Sequence, residues 1–456
     1  MAEQQKKLHI VMFPWVAFGH IIPYLELGKL IAQKGHRVSF VSTPRNIQRL
    51  PKLAENLQPC LHLIQLPLPH VENLPENAES TADIPQHLMP YLTNAFDALE
   101  EPFTKFLQTC TPHWIICDFA PHWLPPISSK LGIPCIFFSI FGACATSFAF
   151  NLFVGNINPE SPEAKLFRAD NRSSQPKELN QSSRPKEVNR FLETLKGAQV
   201  FATRSCVEID GKFLKSLENA SGKVVLPVGL LPPSLHFSED HNWDTILNWL
   251  DKQEKGSVIH IAFGSELKLS DEVFTEIAMG LELSGFPFFW VLNKQNTTFA
   301  CSESQDWIEN RSKRGMVWTK WAPQMRILAH KSIGGFLTHC GWSSVIESLQ
   351  VGCPLVFLPF QYDQWMIARF MEEKKIGVKV HRNEHDRKFT RYSLAKALTS
   401  LMLEEEGKVC RSQAQEMSKI FGNRELHQNY VDRFVDYMEI NKPCQNEKHG
   451  KLKNER

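Results

Sequence analysis

Several absences narrow the reading before any motif is considered. No run of about 18 uninterrupted apolar residues occurs, so no membrane span is expected. The 11 cysteines fall nowhere in CxxC spacing, which speaks against a zinc or disulfide framework and for a reduced, cytoplasmic chain. Neither sign of charge dominates, with 51 basic and 49 acidic residues, so nucleic acid and anionic membranes are not expected partners. A GxGxxG pattern and a P-loop are both missing, which removes the dinucleotide and ATP fingerprints. No D-x-D occurs, so a phosphate site here needs no bound metal, and no cofactor is expected. The apolar segment near the start ends at Gly19-His20 without a small-residue cleavage site, so a secretory leader is not expected.

What is present is an alternation of short apolar runs and amphipathic segments. The 456 residues allow two α/β domains of about 200 residues each. Strand candidates in the first half are Leu8 to Phe13, His36 to Ser42, Leu61 to Leu68, Trp114 to Phe119, Pro134 to Ile140 and Gln199 to Thr203. Helical patterns cover His20 to Lys34 and Pro85 to Cys110. The second half offers strands at Ser257 to Phe263, Phe288 to Leu292, Met316 to Thr319, Gly335 to Thr338 and Leu355 to Leu358. Helical segments near 270–283, 343–350, 363–374 and 391–404 lie between and after them. Continuous apolar runs of this kind predict parallel sheets covered on both faces. The expected division is a first domain over 1–230, a Pro-rich acidic linker over 231–244, a second domain over 245–425 and a charged tail over 446–456. A polar tandem repeat, NRSSQPKEL then NQSSRPKEV, reads as a duplicated surface loop.

Chemistry-bearing residues gather where strands end, the ligand side of an open parallel sheet. His20 follows the first strand and opens a helix; it is either a structural residue or a base able to take a proton near neutral pH. Asp118 ends another buried run and reads as its carboxylate partner or as a helix N-cap. Phe263-Gly264-Ser265 is a phosphate-binding turn or an ordinary strand-to-helix turn. His339-Cys340-Gly341-Trp342-Ser343-Ser344 sets imidazole, hydroxyl and N–H groups at a helix start suited to a diphosphate, His339 adding a charge-assisted hydrogen bond. Glu347 could accept both hydroxyls of a ribose, or form a capping box with Ser344. Trp321 could stack on a base, and Asp363 with Gln364 suit sugar hydroxyls. Trp15, Phe18, Phe119, Trp123, Phe141 and Phe148 form either a greasy acceptor cleft or plain core.

The segment Trp321 to Gln364, WAPQMRILAHKSIGGFLTHCGWSSVIESLQVGCPLVFLPFQYDQ, resembles the signature box of plant family 1 UDP-dependent glycosyltransferases. FPWVAFGH, VSFVSTPRNIQRLPKL and ELHQNYVDRFVDYM resemble the subgroup that adds sugars to already glycosylated flavonoids or terpenoids. The resemblance implies a GT-B fold, two doubly wound Rossmann-like domains facing a cleft, with a helix over about 426–438 packing back onto the first. It implies that His20 is the general base and Asp118 its partner, and that Trp321, Ala322 and Gln324 hold the nucleoside. Ser265, His339, Gly341, Trp342, Ser343 and Ser344 would hold the diphosphate, Glu347 the ribose, and Asp363 with Gln364 the sugar. The reaction expected is inverting, metal-independent transfer from a UDP-sugar, glucose favoured, to a hydroxyl of a flavonoid or terpenoid glycoside by a monomer. Alternatives are a UDP-rhamnose-dependent transferase and a nucleotide-sugar-binding protein with little transferase activity. Ser343 stands where the family pattern has asparagine, and Trp365 adds bulk after the box.

Overall fold

In the computed structural model, residues 7–154, 160, 161, 163, 186–235, 243–292, 307 and 314–443 are described. The core of the tandem repeat, part of the linker and the charged tail lie outside the described residues. Thirteen described strands form two wholly parallel sheets. The first is built from β1 (His9–Phe13), β2 (Arg37–Ser42), β3 (Leu61–Gln65), β4 (Trp114–Cys117), β5 (Cys135–Ser139), β6 (Val200–Thr203) and β7 (Val224–Pro227). The second contains β8 (Val258–Ala262), β9 (Phe288–Val291), β10 (Gly315–Trp318), β11 (Ile333–Thr338), β12 (Leu355–Phe357) and β13 (Gly377–Lys379).

The strand orders are β3-β2-β1-β4-β5-β6-β7 and β10-β9-β8-β11-β12-β13. Both are the doubly wound order, and in each the chain reverses direction across the sheet between the first strand and its fourth. That leaves a crevice at the carboxyl ends of β1 and β4, and another at those of β8 and β11. The apolar runs form strands because both faces are covered: β1, β5 and β8 are buried at every position. The helical pattern over 85–110 resolves into two helices, Met89–Asp97 and Glu100–Cys110, interrupted at Ala98-Leu99.

The halves share one core. Ala143, Cys144, Phe213 and Leu214 from the first pack with Trp342, Val345, Met366 and Phe370 from the second. The last helix, Arg424–Ile440, returns to the first sheet, where Val431, Phe434, Val435 and Met438 join Leu8, Ile10, Met12 and Trp114. The indole N–H of Trp114 donates to the Met438 carbonyl at 2.9 Å. Among the described residues no helix is long and apolar enough to cross a membrane.

Candidate active site

Strand register assembles the first crevice. Phe13 pairs with Cys117, so the loop after β1 and Asp118 after β4 leave the sheet side by side. The helix Phe18–Gln33 then starts beneath His20. His20 Nδ1 lies 2.7 Å from Asp118 Oδ2. Asp118 is buried and its remaining capacity is filled by backbone: the Trp15 N–H donates to Oδ2 at 3.0 Å and the Phe119 N–H to Oδ1 at 2.7 Å. The carboxylate is thereby fixed and itself fixes the imidazole, leaving Nε2 for the cleft. Burial acts to lower the His20 pKa, but the charge of Asp118 and its hydrogen bond outweigh it, with Glu266 and Asp363 adding, and hold it above the usual value.

Glu266 and Asp363 belong to the second half, so the two crevices open toward each other. Direct contacts agree: Thr81 Oγ1 donates to Glu266 Oε1 at 2.8 Å, and Lys268 Nζ donates to the Ile84 carbonyl at 3.2 Å. In the second crevice, Thr338 pairs with both Ala262 and Phe357, which aligns the Gly264-Ser265 turn, His339 and the loop before the helix Tyr362–Glu373. Gly264 has φ +75°, and a Cβ there would sit 3.0 Å from His339 Nε2, so glycine is what lets the turn approach the imidazole. Burial pushes His339 down to about 4, so at neutral pH it presents a neutral imidazole. A hydrogen bond from this neutral ring to an anionic diphosphate would be charge-assisted through its acceptor.

The helix Trp342–Gln350 begins at Gly341 with no side-chain cap, so its first N–H groups face the crevice. Ser344 lies inside that helix and is not its N-cap, which removes the capping-box reading of Glu347. Glu347 instead accepts from Gln324 Nε2 at 2.5 Å, joining the two residues expected at the ribose. Burial raises the Glu347 pKa, while Gln324 and Arg204 pull it back. Trp321 is 72% exposed, its indole edge-on to Trp243 at 5.0 Å, which leaves area for a flat base. Ala322 is buried beside Ile327 and shapes the turn from behind. Asp363 and Gln364 stand in the first turn of a helix, six and seven residues past the strand end at Phe357. The Gln364 amide oxygen accepts from the N–H groups of Phe360 and Gln361 at 2.9 and 3.0 Å, closing a capping box, so only its NH2 remains for a sugar.

Two expected site residues point elsewhere. Trp342 is 4% exposed; its indole N–H donates to the Arg204 carbonyl at 2.8 Å and its ring packs beside Gly142. It ties the halves together, and only its backbone N–H faces the crevice. Ser343 Oγ accepts from Arg204 Nη1 at 2.7 Å. Among the aromatics, Phe119 and Phe141 flank His20 with ring centroids 5.5 and 5.6 Å away. Trp15 packs on Phe96 and Phe119, and Phe18 lies under Arg49. Trp123 is a core residue, packed against Phe13 and Phe103, and Phe148 is buried in the core shared by the halves. Two residues outside the expected set face the site, Glu266 and Arg204. Both directly follow a strand or its turn, the signal that singled out His20 and Asp118.

Two doubly wound sheets with facing crevices, one of them holding a His–Asp pair, have the layout expected of a glycosyl-transferring enzyme of GT-B architecture. Residues 245–439 match the family described as UDP-glucoronosyl and UDP-glucosyl transferase. UDP-glycosyltransferase 91A1 of Arabidopsis thaliana is 41% identical, over 96% of this chain and 97% of its own. Soyasaponin III rhamnosyltransferase of Glycine max is also 41% identical, over 95% and 96%. Glycyrrhiza uralensis UGT73P12, solved with glycyrrhetinic acid 3-O-monoglucuronide, shares the fold with a TM-score of 0.78 at 23% identity, covering 95% of this chain and 96% of its own. The chain belongs to the plant UDP-glycosyltransferase family.

Proposed function

We propose that this enzyme transfers a hexose from a UDP-sugar, glucose foremost, to a hydroxyl on the sugar of a flavonoid or terpenoid glycoside. The observation that carries the reading is the 2.7 Å His20–Asp118 pair placed opposite Asp363 and Glu266. His20 Nε2 takes the acceptor proton as the acceptor oxygen bonds to the anomeric carbon. The bond from that carbon to the diphosphate breaks on the opposite face, its electron pair leaving with UDP, so configuration inverts. Asp118 stabilises the imidazolium. General-base assistance of this kind is worth about 10²–10⁴ in rate. Charge growing on UDP meets the N–H groups that open the helix Trp342–Gln350 and the His339 ring.

Phe119 and Phe141 beside the base suit an apolar aglycone, with the acceptor hydroxyl directed between them. Rhamnose is the second donor to consider, because of the likeness to the soyasaponin rhamnosyltransferase. We place the enzyme in the cytoplasm, since the nine described cysteines are all free. The test is a donor panel against flavonoid and terpenoid glycosides, read by product mass. A hexose gained from UDP-glucose supports the reading, and a deoxyhexose gained only from UDP-rhamnose moves the donor. UDP release that no acceptor accelerates would overturn it.

A further inference from the structure

Arg204 stands just past β6, at the same carboxyl edge as the dyad, and no step above uses it. It is 4% exposed, and its guanidinium is forked over three oxygens. Nε donates to the Leu230 carbonyl at 2.7 Å, Nη2 to the Leu231 carbonyl at 3.2 Å and Nη1 to Ser343 Oγ at 2.7 Å. Its own carbonyl accepts from the Trp342 indole at 2.8 Å, and its N–H donates to the Ser139 carbonyl at 2.9 Å. One residue of the first half thus grips two successive residues of the second. Those two form the opening turn of the helix assigned to the diphosphate. A buried guanidinium is costly unless its donors are satisfied. Here neutral oxygens satisfy them, and the carboxylates of Glu347 and Glu26 act on it through their fields.

We propose that Arg204 is a positioning residue for the donor: it clamps Trp342 and Ser343, setting the diphosphate-binding turn against the acceptor half, and places a positive charge behind that turn. The inference rests on the donor-site reading above. Serine is short enough at position 343 for the guanidinium to close on its hydroxyl, which accounts for the departure from asparagine. The hydroxyl accepts from the side of the first half, which leaves its own proton to donate toward the diphosphate beside the backbone N–H groups. The charge also bears on Glu347. That carboxylate is faced by Gln324 from the helix Gln324–Leu328 and by Arg204 from the end of β6. His260 of β8 lies behind Gln324 and is neutral at about 4 through burial. Burial already outweighs Gln324 and Arg204; with the Arg204 charge removed it is opposed still less, so Glu347 takes up a proton at higher pH and loses part of its capacity to accept the ribose hydroxyls.

The test uses the full chain, UDP binding by calorimetry, and steady-state kinetics. In Arg204→Met, the Kd for UDP and the KM for the donor should rise about tenfold or more, the scale of one hydrogen bond from a charged group. The acceptor KM should stay within about twofold of wild type, and the pH below which UDP affinity falls should move upward. Arg204→Lys keeps the charge and should retain the wild-type pH profile while restoring affinity only in part. Ser343→Ala should weaken UDP binding, and the double variant should be no weaker than Arg204→Met alone. UDP affinity within twofold of wild type in Arg204→Met, or a loss without change in pH profile and without rescue by lysine, would overturn the proposal. If Arg204→Met fails to fold, Arg204→Lys and Ser343→Ala decide, wild-type affinity in both being the refuting result. Wild-type UDP affinity in Glu347→Ala would instead sink the donor-site reading itself.

Discussion

Exchanging Asp118 for asparagine keeps the shape of the dyad and removes its charge. Asp118 serves three donors, His20 Nδ1 at 2.7 Å and the N–H groups of Trp15 and Phe119 at 3.0 and 2.7 Å. Asparagine has one acceptor oxygen and an NH2, so one of these donors must face another donor, and the imidazole loses its fixed tautomer. An opposite charge about 4 Å away is worth about 4 kcal/mol at an effective dielectric near 20. In wild type that attraction overcomes burial and holds His20 above its usual pKa. In Asp118→Asn burial regains the upper hand, and only the more distant Glu266 and Asp363 oppose it. The acidic limb of kcat/KM should therefore move to lower pH while the plateau falls by about 10²–10⁴. Stability shifts too. Because the folded His20 value is raised, the ionised pair adds stability that is fully present below the unfolded value near 6.5 and is lost as pH rises through the folded value. The variant should lack this low-pH gain. The assay is UDP release over about pH 5 to 9, with UDP affinity by calorimetry as control. Turnover within tenfold of wild type together with an unmoved acidic limb would refute the dyad.

Other expectations follow from the same geometry. Glu347→Ala should weaken UDP binding by about tenfold or more, as hydrogen bonds to a charged acceptor are lost; an unchanged Kd contradicts the ribose assignment. Gly264→Ala forces a Cβ toward His339 Nε2 at 3.0 Å from a φ of +75°, so the donor KM should rise and the melting temperature should fall; a wild-type donor KM contradicts the close-turn argument. Asp210, buried between the halves, accepts from the Ala143 N–H and from Ser205 Oγ, and burial raises its pKa to about 6. A raised carboxylate penalises the folded state as pH rises from about 3.8 through 6, by at most about 3 kcal/mol. Asp210→Asn should hence raise Tm near pH 8 and leave it unchanged near pH 4; equal shifts at both would refute the burial argument.

Much of this was legible because parallel strands buried on both faces are continuous apolar runs. The dyad followed from placing His20 and Asp118 at strand ends. Two short strands were not legible: β7 is half exposed and ends in Pro227, and β13 has three residues. The helices Val207–Ser221 and Glu405–Phe421 also escaped, the second because its charged pattern resembles a solvated segment. Trp342 shows another limit. Its place at a helix start is readable from the chain, but which way the indole turns depends on Gly142 and Arg204, more than 130 residues away. Gln364 is similar, since its amide oxygen caps its own helix. Arg204 obeys the strand-end rule, but its value lies in reaching across to Ser343, which no local pattern encodes.

The return of the helix Arg424–Ile440 to the first sheet makes the donor half, in topological terms, an insertion within the acceptor half. The acceptor half is discontinuous in the chain: its first sheet is complete by Pro227, yet the indole of Trp114 waits for a carbonyl at Met438. During synthesis the ribosome must therefore deliver the chain through Met438 before the acceptor half can close. Cutting the chain in the linker would not yield two independent pieces. It would give an acceptor piece lacking part of its core and a donor piece carrying a helix whose apolar face is unpartnered, and recombining the two by that face would be the natural way to restore the enzyme.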